Sequence, residues 1–172
     1  SHTYASWNWK AGGTAVANTD GSIPGTVNVS ANTTAGFSIV SYTGDADNTS
    51  TVGHGLSVIP DLIIMKCRST GGSNRDWIVG STALTSPTAY NLVLNTDAAE
   101  ANNVSFFTTA ATSSVWYPGD GGASNGSGLT YIAYCFHSIE GYSKVGSFTG
   151  NGNADGPFIY TDMAPSFVMF KN

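Results

Sequence analysis

Short runs of alternating or continuous apolar residues predict a chain built almost entirely of β-strands. The clearest run is 130–136, in which every residue after Thr130 is apolar or aromatic. Two apolar faces are typical of a strand that is covered on both sides. The next run, 142–148, alternates aromatic or branched residues with Ser, Lys and Gly, which predicts a strand with one buried face. The two runs are joined by a corner at 138–141.

Further strands are predicted along the whole chain, separated by Gly, Asn, Asp, Ser and Pro clusters. Only 97–101 suggests a helix, and it is too short to be stable alone. Residues 10–35 lack periodicity and are predicted to be a long irregular connection on the surface. Strands about eight to twelve residues apart with turns between them predict an antiparallel β-sandwich. The predicted strands lie at 3–9, 36–44, 51–58, 61–67, 76–80, 90–95, 104–108, 113–117, 130–136 and 142–148.

The sequence also contains an internal repeat. Residues 36–44 resemble 141–150, and 58–66 resemble 163–171, in both cases about 105 residues apart. Residues 3–9 resemble 130–136. Repetition of this length is typical of arrays and fibres. We therefore predict that 1–35 holds the last strand of a preceding unit plus a connection, that 36–140 is a complete sandwich, and that 141–172 starts a following unit of a longer polypeptide.

The composition indicates an uncharged polar surface. Hydrophobic residues make up 41% of the chain and charged residues only 10%, against about a quarter in an average soluble protein. Such surfaces are common in extracellular β-proteins and virion parts. The net charge of −5 provides no basic field, so nucleic acid is not an expected partner. The absence of an apolar run of about 20 residues argues against membrane insertion.

The two cysteines, Cys67 and Cys135, are too few for a disulfide framework and lack the spacing of a metal site. Both fall in predicted apolar strands. We predict two free, nearly buried thiols; a single bridge between them is the alternative.

Three segments resemble a repeated domain of bacteriophage structural and tail-associated proteins, especially those of marine phages. They are 51–66 (TVGHGLSVIPDLIIMK), 130–136 (TYIAYCF) and 146–158 (GSFTGNGNADGPF). The resemblance covers nearly the whole chain from Trp7 onward. It implies a β-sandwich virion protein of lectin-like shape, jelly-roll or concanavalin-like, repeated in tandem and displayed outside the particle without recognised catalytic residues.

Oxygen-bearing side chains around 151–156 allow two hypotheses. Asn151, Asn153 and Asp155 stand at alternate positions before a glycine, and Asp162 falls at the twelfth position, as in a Ca2+-binding loop. The favoured alternative is a hairpin turn, because Asn, Asp and Gly tolerate left-handed backbone angles. Apart from this Ca2+ site, no cofactor is expected.

Aromatic side chains are the candidates for glycan binding. Trp7, Trp9, Trp116 and Tyr117 could stack on sugar rings; burial in the core or in an interface is the favoured alternative. For a polysaccharide-degrading enzyme, Glu100 and Glu140 are the only glutamates that could join an aspartate as an acid/base pair.

No serine or cysteine stands in a nucleophile-elbow setting. His54 lies between two glycines and is predicted to fit a close-packed bend.

The leading hypothesis is a non-enzymatic virion protein, a fibre, tail or capsid-surface component that acts as scaffold and adhesin. Its expected partners are itself, as a homo-oligomer and a trimer if it is a fibre, and other virion proteins. The alternative is a lectin-like module whose loops at 45–50, 118–128 and 151–156 bind host surface glycans. A polysaccharide-degrading enzyme ranks third.

Overall fold

The structure is a computed structural model that describes residues 3, 6, 8–69 and 76–171. These residues form strands and turns and contain no helix, which confirms the all-β prediction. No helix in this part of the chain therefore has the length and apolarity needed to cross a membrane. The ten strands are β1 (Val16–Asn18), β2 (Val27–Asn32), β3 (Phe37–Thr43), β4 (Val52–Gly53), β5 (Leu62–Cys67), β6 (Trp77–Ser81), β7 (Tyr90–Val93), β8 (Ala101–Asn102), β9 (Val115–Trp116) and β10 (Thr130–Phe136).

Eight of the strands form one antiparallel sheet in the order β1-β2-β3-β10-β5-β6-β7-β8. The last long strand, β10, lies between β3 and β5. At one end of β10, Phe136 is opposite Phe37 of β3 and Leu62 of β5. Strands β5, β6 and β7 form an antiparallel meander. Because β10 pairs with β3 and β5, it joins the N-terminal and middle parts of the chain in one hydrogen-bonded layer.

One face of this sheet carries the core. Tyr131, Ala133 and Cys135 of β10 are completely buried, because side chains two apart on a strand point to the same side. The two-stranded sheet β4–β9 lies on this face, where the buried Trp116 ring meets Tyr42 edge-on at 5.9 Å between ring centroids. Each such ring removes about 150–250 Å² from water, so this contact is a major part of the packing between the sheets.

The strongly patterned strand predictions are confirmed. Those at 36–44, 61–67, 76–80, 90–95 and 130–136 correspond to β3, β5, β6, β7 and β10. Those at 51–58 and 113–117 shorten to the two-residue strands β4 and β9. Of the predicted strand at 3–9, residues 4, 5 and 7 lie outside the described residues, and the described residues 3, 6, 8 and 9 are not assigned to a strand.

Two other predictions are wrong. Residues 10–35 are not an irregular connection, because they contain β1 and β2, with Val27 and Val29 in the core. The alternation of apolar and polar residues in these strands is difficult to recognise in the sequence because turns rich in Gly and Pro surround it. Residues 104–108 form a turn rather than a strand, and this turn buries Phe106 and Phe107.

The C-terminal segment, residues 141–171, also differs from its prediction. It contains no strand, although 142–148 was expected to be one, and its only ladder contact is the isolated bridge between Ile139 and Ser143. Most of its side chains are exposed. The proposed division of the chain into units at 35 and 140 stays a prediction.

Both cysteines are free and buried, as predicted. In the ladder, Cys67 stands opposite Tyr131, whereas Cys135 stands opposite Ile63. The two thiols are therefore four residues out of register, which explains why they do not form a bridge.

Candidate functional site

Two of the loops suspected of ligand binding meet at one end of the large sheet. Since Thr43 ends β3 and its ladder partner Thr130 begins β10, the loop after β3 and the loop before β10 leave the sheet side by side. The backbone ladder continues beyond the strands: Gly44 N–H donates to Leu129 O at 2.8 Å, and Gly128 N–H donates to Gly44 O at 2.8 Å. Loop 45–50 and loop 118–128 are thereby held against each other.

The side chain of Asn125 joins these two loops. Its amide nitrogen, which carries two hydrogens, lies within hydrogen-bond distance of three acceptors: Asp45 Oδ1 at 2.9 Å, Asp47 O at 3.1 Å and Gly119 O at 2.8 Å. Its amide oxygen accepts from Asp45 N–H at 3.1 Å. The residue is completely buried, where a polar group without partners is costly. We call Asn125, with Asp45, Asp47 and Gly119, the loop clamp.

Asp45 is held as a carboxylate within the loop clamp. Partial burial acts to raise its pKa, but hydrogen bonds from the Ser50 hydroxyl, the Asp47 N–H and the Asn125 amide lower the pKa below the ordinary aspartate value. The Ser50 hydroxyl donates to Asp45 Oδ2 at 2.6 Å. Both oxygens of the carboxylate thus accept hydrogen bonds from the protein.

Two core tyrosines of the large sheet hold loop 118–128 in place through hydrogen bonds to its backbone. The Tyr42 hydroxyl donates to Ser124 O at 2.6 Å, and the Tyr131 hydroxyl donates to Gly122 O at 2.7 Å and accepts from Gly126 N–H at 2.7 Å. The two rings stack at 5.2 Å between centroids. Burial raises the pKa of Tyr131 to about 12 and that of Tyr42 well above its ordinary value, so both hydroxyls stay protonated donors at neutral pH.

A mainly apolar cavity of about 240 Å³ lies where β5 begins and β6 ends. Its walls include Ile59, Ile63 and Phe107, with Trp116 behind them. The Trp116 Nε1–H is buried without a hydrogen-bond partner, although most buried donors have one. The cavity therefore has a mainly apolar lining, and the indole donor of Trp116 is buried rather than exposed to it.

His54 fits a close-packed bend, as predicted. It is completely buried; Nε2 lies 3.1 Å from Thr112 O, and Nδ1 accepts from Leu56 N–H at 3.2 Å. These partners require a proton on Nε2 and a lone pair on Nδ1, which is the neutral ring. Burial lowers the pKa of His54, against the opposing effects of Thr112 O and Asp20.

The comparisons with known proteins gave one match. The model of a family described as a domain of unknown function (DUF7483) matches residues 1–172. The chain belongs to the DUF7483 family. The searches of curated proteins and of solved structures found no match.

The aromatic candidates of this DUF7483 chain lie in different environments. Trp7 is outside the described residues. Trp9 is 43% exposed and meets the rings of Phe136 and Phe167. Trp116 is buried in the core, which was the favoured alternative to glycan binding, and it has no exposed face on which a sugar ring could stack. Its neighbour Tyr117 is half-buried.

The suspected Ca2+ loop of the DUF7483 chain forms a turn on the surface. Asn151 Oδ1 accepts from Asn153 N–H at 3.0 Å, and Asn153 Oδ1 accepts from Asp155 N–H at 3.1 Å. The carboxylate of Asp162 accepts from the Tyr160 hydroxyl. The described residues contain no group of three or more His, Cys, Asp or Glu side chains placed to hold a metal. A Ca2+ site that uses the two asparagines stays a prediction.

Glu100 and His137 are bound to structural partners. Glu100 accepts hydrogen bonds from the Thr85 N–H and hydroxyl, which lower its pKa. Glu140 is exposed in the corner after β10. His137 Nδ1 lies 3.0 Å from Ile59 O and 3.3 Å from the Asp61 carboxylate.

The loop clamp is the feature that sequence reasoning missed. Asp45 and Asn125 are 80 residues apart, and each by itself resembles an ordinary loop residue. Strands were predicted at 36–44 and 130–136, but their pairing was not, and the shared end of this pair fixes which loops meet.

We expect Asn125→Asp in the DUF7483 chain to lower the free energy of unfolding by about 3 kcal/mol. The new carboxylate would replace a donor with an acceptor beside Asp45 and two carbonyl oxygens. Urea unfolding at pH 7 measures the change. The exposed substitution Asn102→Asp on β8 is the control and should stay within about 0.5 kcal/mol; equal effects of the two substitutions would contradict the clamp.

We expect acid to destabilise the protein through His54. Its folded pKa is below the unfolded value of about 6.5, so the unfolded chain binds more protons as pH falls through that value. The stability contributed by neutral His54 is complete above about pH 6.5 and is lost as pH falls toward the folded pKa. Urea unfolding at pH 7.5 and 5.5 should show a smaller pH dependence for His54→Gln than for the unsubstituted protein. An unchanged pH dependence would refute this assignment.

Proposed function

We propose that this DUF7483 chain is a non-enzymatic structural module of an exposed bacteriophage virion protein, a tail-fibre, tail or capsid-surface component. It would act as a scaffold that presents loops for adhesion. The phage assignment rests on the resemblance of 51–66, 130–136 and 146–158 to repeated phage domains. We further propose that the two sheets are the layers of a jelly-roll or concanavalin-like sandwich that repeats in tandem.

The observation that carries this proposal is the attachment of the loop clamp to the central strands. Asn125 and the stacked Tyr42 and Tyr131 connect both loops to β3 and β10 through buried and partly buried hydrogen bonds. A surface fixed in this way loses little conformational entropy when it binds a partner. Rigid presentation of a mostly uncharged polar surface is what a display scaffold requires.

The proposed partners are further copies of the chain and other virion proteins. Large apolar side chains are exposed along the C-terminal segment, among them Phe158, Tyr160 and Phe170. Clusters of this kind often mark interaction surfaces. A homo-oligomer, a trimer in a fibre, would be held outside the particle, without nucleic acid or membrane insertion.

Antibody labelling of intact particles tests the proposal. An antibody raised against the purified chain should label the outside of the phage that encodes it, in negatively stained images, and the purified chain should bind host cells without releasing oligosaccharides. Particles assembled without the gene are the control. Labelling only after particle disruption, or release of saccharide by the chain, would overturn the proposal.

A glycan-binding module is the second candidate, and the cavity beside Trp116 favours it. The walls of this cavity are mainly apolar, and a sugar ring presents an apolar face that packs against such a wall. Because the Trp116 ring and its Nε1–H are buried, the sugar would lie against Ile59 and Phe107 rather than stack on the indole.

We expect Ala110→Trp to block this cavity, because Ala110 lies at its wall. Binding to any glycan recognised on an array should fall about tenfold or more. Ala101→Trp, on the exposed strand β8, is the matched control and should bind as the unsubstituted chain does. Glycan binding that survives Ala110→Trp, or no binding by the unsubstituted chain, would eliminate this site.

A further inference from the structure

The chain contains two Asn-Gly dipeptides, Asn125-Gly126 and Asn151-Gly152. Asparagine is most prone to deamidation before glycine, because glycine has no Cβ to hinder the approach of its backbone nitrogen to the preceding side-chain amide. By this local chemistry the two dipeptides are similarly reactive. The structure places them in opposite surroundings, and this difference decides which asparagine reacts.

The first dipeptide is held in a conformation that prevents the reaction. Asn125 is completely buried, and both its amide nitrogen and its amide oxygen make the hydrogen bonds of the loop clamp. The nitrogen that would attack, that of Gly126, donates its hydrogen to the Tyr131 hydroxyl at 2.7 Å. A Cβ added to Gly126 would lie only 3.0 Å from Leu129 Cδ1, so the surroundings are crowded. Deamidation at Asn125 therefore requires the clamp to open first.

The second dipeptide lies in the surface turn of loop 151–156. Asn151 and Gly152 are both exposed, and a Cβ added to Gly152 would meet no other atom within 4 Å. Within the part of the chain that the structure describes, the Gly152 N–H has no hydrogen-bond acceptor. Its nitrogen is therefore available for attack, and water reaches the amide directly.

The turn also activates the Asn151 amide. Its oxygen, Oδ1, accepts a hydrogen bond from the Asn153 N–H at 3.0 Å. Such a donor draws electrons from the amide carbon and stabilises the negative charge that develops on the oxygen when a nucleophile adds. One hydrogen bond of the turn thus favours the reaction, whereas the hydrogen bonds around Asn125 oppose it.

We propose that Asn151 is a site of spontaneous deamidation in this DUF7483 chain. The Gly152 nitrogen loses its proton and attacks Asn151 Cγ. A new C–N bond forms, the bond from Cγ to the side-chain nitrogen breaks, and this nitrogen leaves with the proton as ammonia. Water then adds to either carbonyl of the resulting succinimide ring and opens it. The product is aspartate or isoaspartate, and no oxidation or reduction takes place.

The modification changes loop 151–156 in two ways. It adds a negative charge to a chain whose net charge is already −5, and the isoaspartate product also lengthens the backbone by one methylene group. The charge of this suspected glycan-binding loop would therefore change with the age of the protein, whereas loops 45–50 and 118–128 would keep theirs. The inference rests on the two dipeptides alone and is independent of the proposed function.

Peptide mapping of the purified full chain tests the proposal. The folded protein is kept in mildly alkaline buffer, because the attacking nitrogen must lose its proton, and aspartate and isoaspartate are quantified at both dipeptides over time. We expect deamidation to be at least about tenfold faster at Asn151 than at Asn125, since the buried site reacts only through local opening. Similar rates at the two sites, or a faster rate at Asn125, would overturn the proposal.

The same measurement on the urea-unfolded chain is the control for local sequence. Without the fold, the rates at the two Asn-Gly dipeptides should become similar, which would assign the difference to the structure. A difference of the same size in urea would mean that the flanking residues cause it, and the structural explanation would be wrong.

Isoelectric focusing of two variants gives a second measurement. Asn151→Gln keeps a neutral amide, but its longer side chain would have to close a less favourable ring, so the acidic forms that accumulate in the unsubstituted chain should form at least about tenfold more slowly. Asn153→Gln in the same turn retains the backbone N–H that activates Asn151 and is the matched control, with acidic forms at the unsubstituted rate. Acidic forms that accumulate equally fast in Asn151→Gln would overturn the proposal.

Discussion

The double pairing of β10 is the constraint on which the rest of the structure depends. In the sequence, β10 is the last strand of the large sheet. Within the sheet it lies between β3 and β5, whose residues come far earlier in the chain. Tyr131, Ala133 and Cys135 fill the core from the middle of the sheet. The same strand places Tyr131 beneath loop 118–128, so packing and loop geometry have a common origin.

Strand pairing also connects the core to the surface chemistry. Asn125 can bind the carboxylate of Asp45 because Thr43 and Thr130 are ladder partners. The apolar cavity likewise forms where β5 begins beside the end of β6, with Trp116 supplied by the small sheet. The two proposed binding regions, the loops joined by Asn125 and the apolar cavity, are therefore consequences of strand register rather than of local loop sequence.

Much of the large sheet could be predicted from the sequence, because strands such as β10 and β5 are apolar in nearly every position. Loop-rich regions were harder: β2 is polar on alternate positions and surrounded by glycine turns, so its buried Val27 and Val29 gave a weak signal. Residues 104–108 resembled a strand because Phe106 and Phe107 are apolar, and a buried turn requires apolar residues just as a buried strand does. The partner of Asn125 depends on contacts across 80 residues, which no local pattern contains.

The burial of Cys135 has a consequence for the covalent chemistry of the chain. Loss of hydration raises the pKa of this thiol to about 12, and the thiolate is the form that attacks disulfides and oxidants. At neutral pH, Cys135 is therefore unreactive toward thiol–disulfide exchange. Since Cys67 is also buried and out of register with it, the fold needs no cross-link and should keep the same covalent structure in reducing and oxidising surroundings.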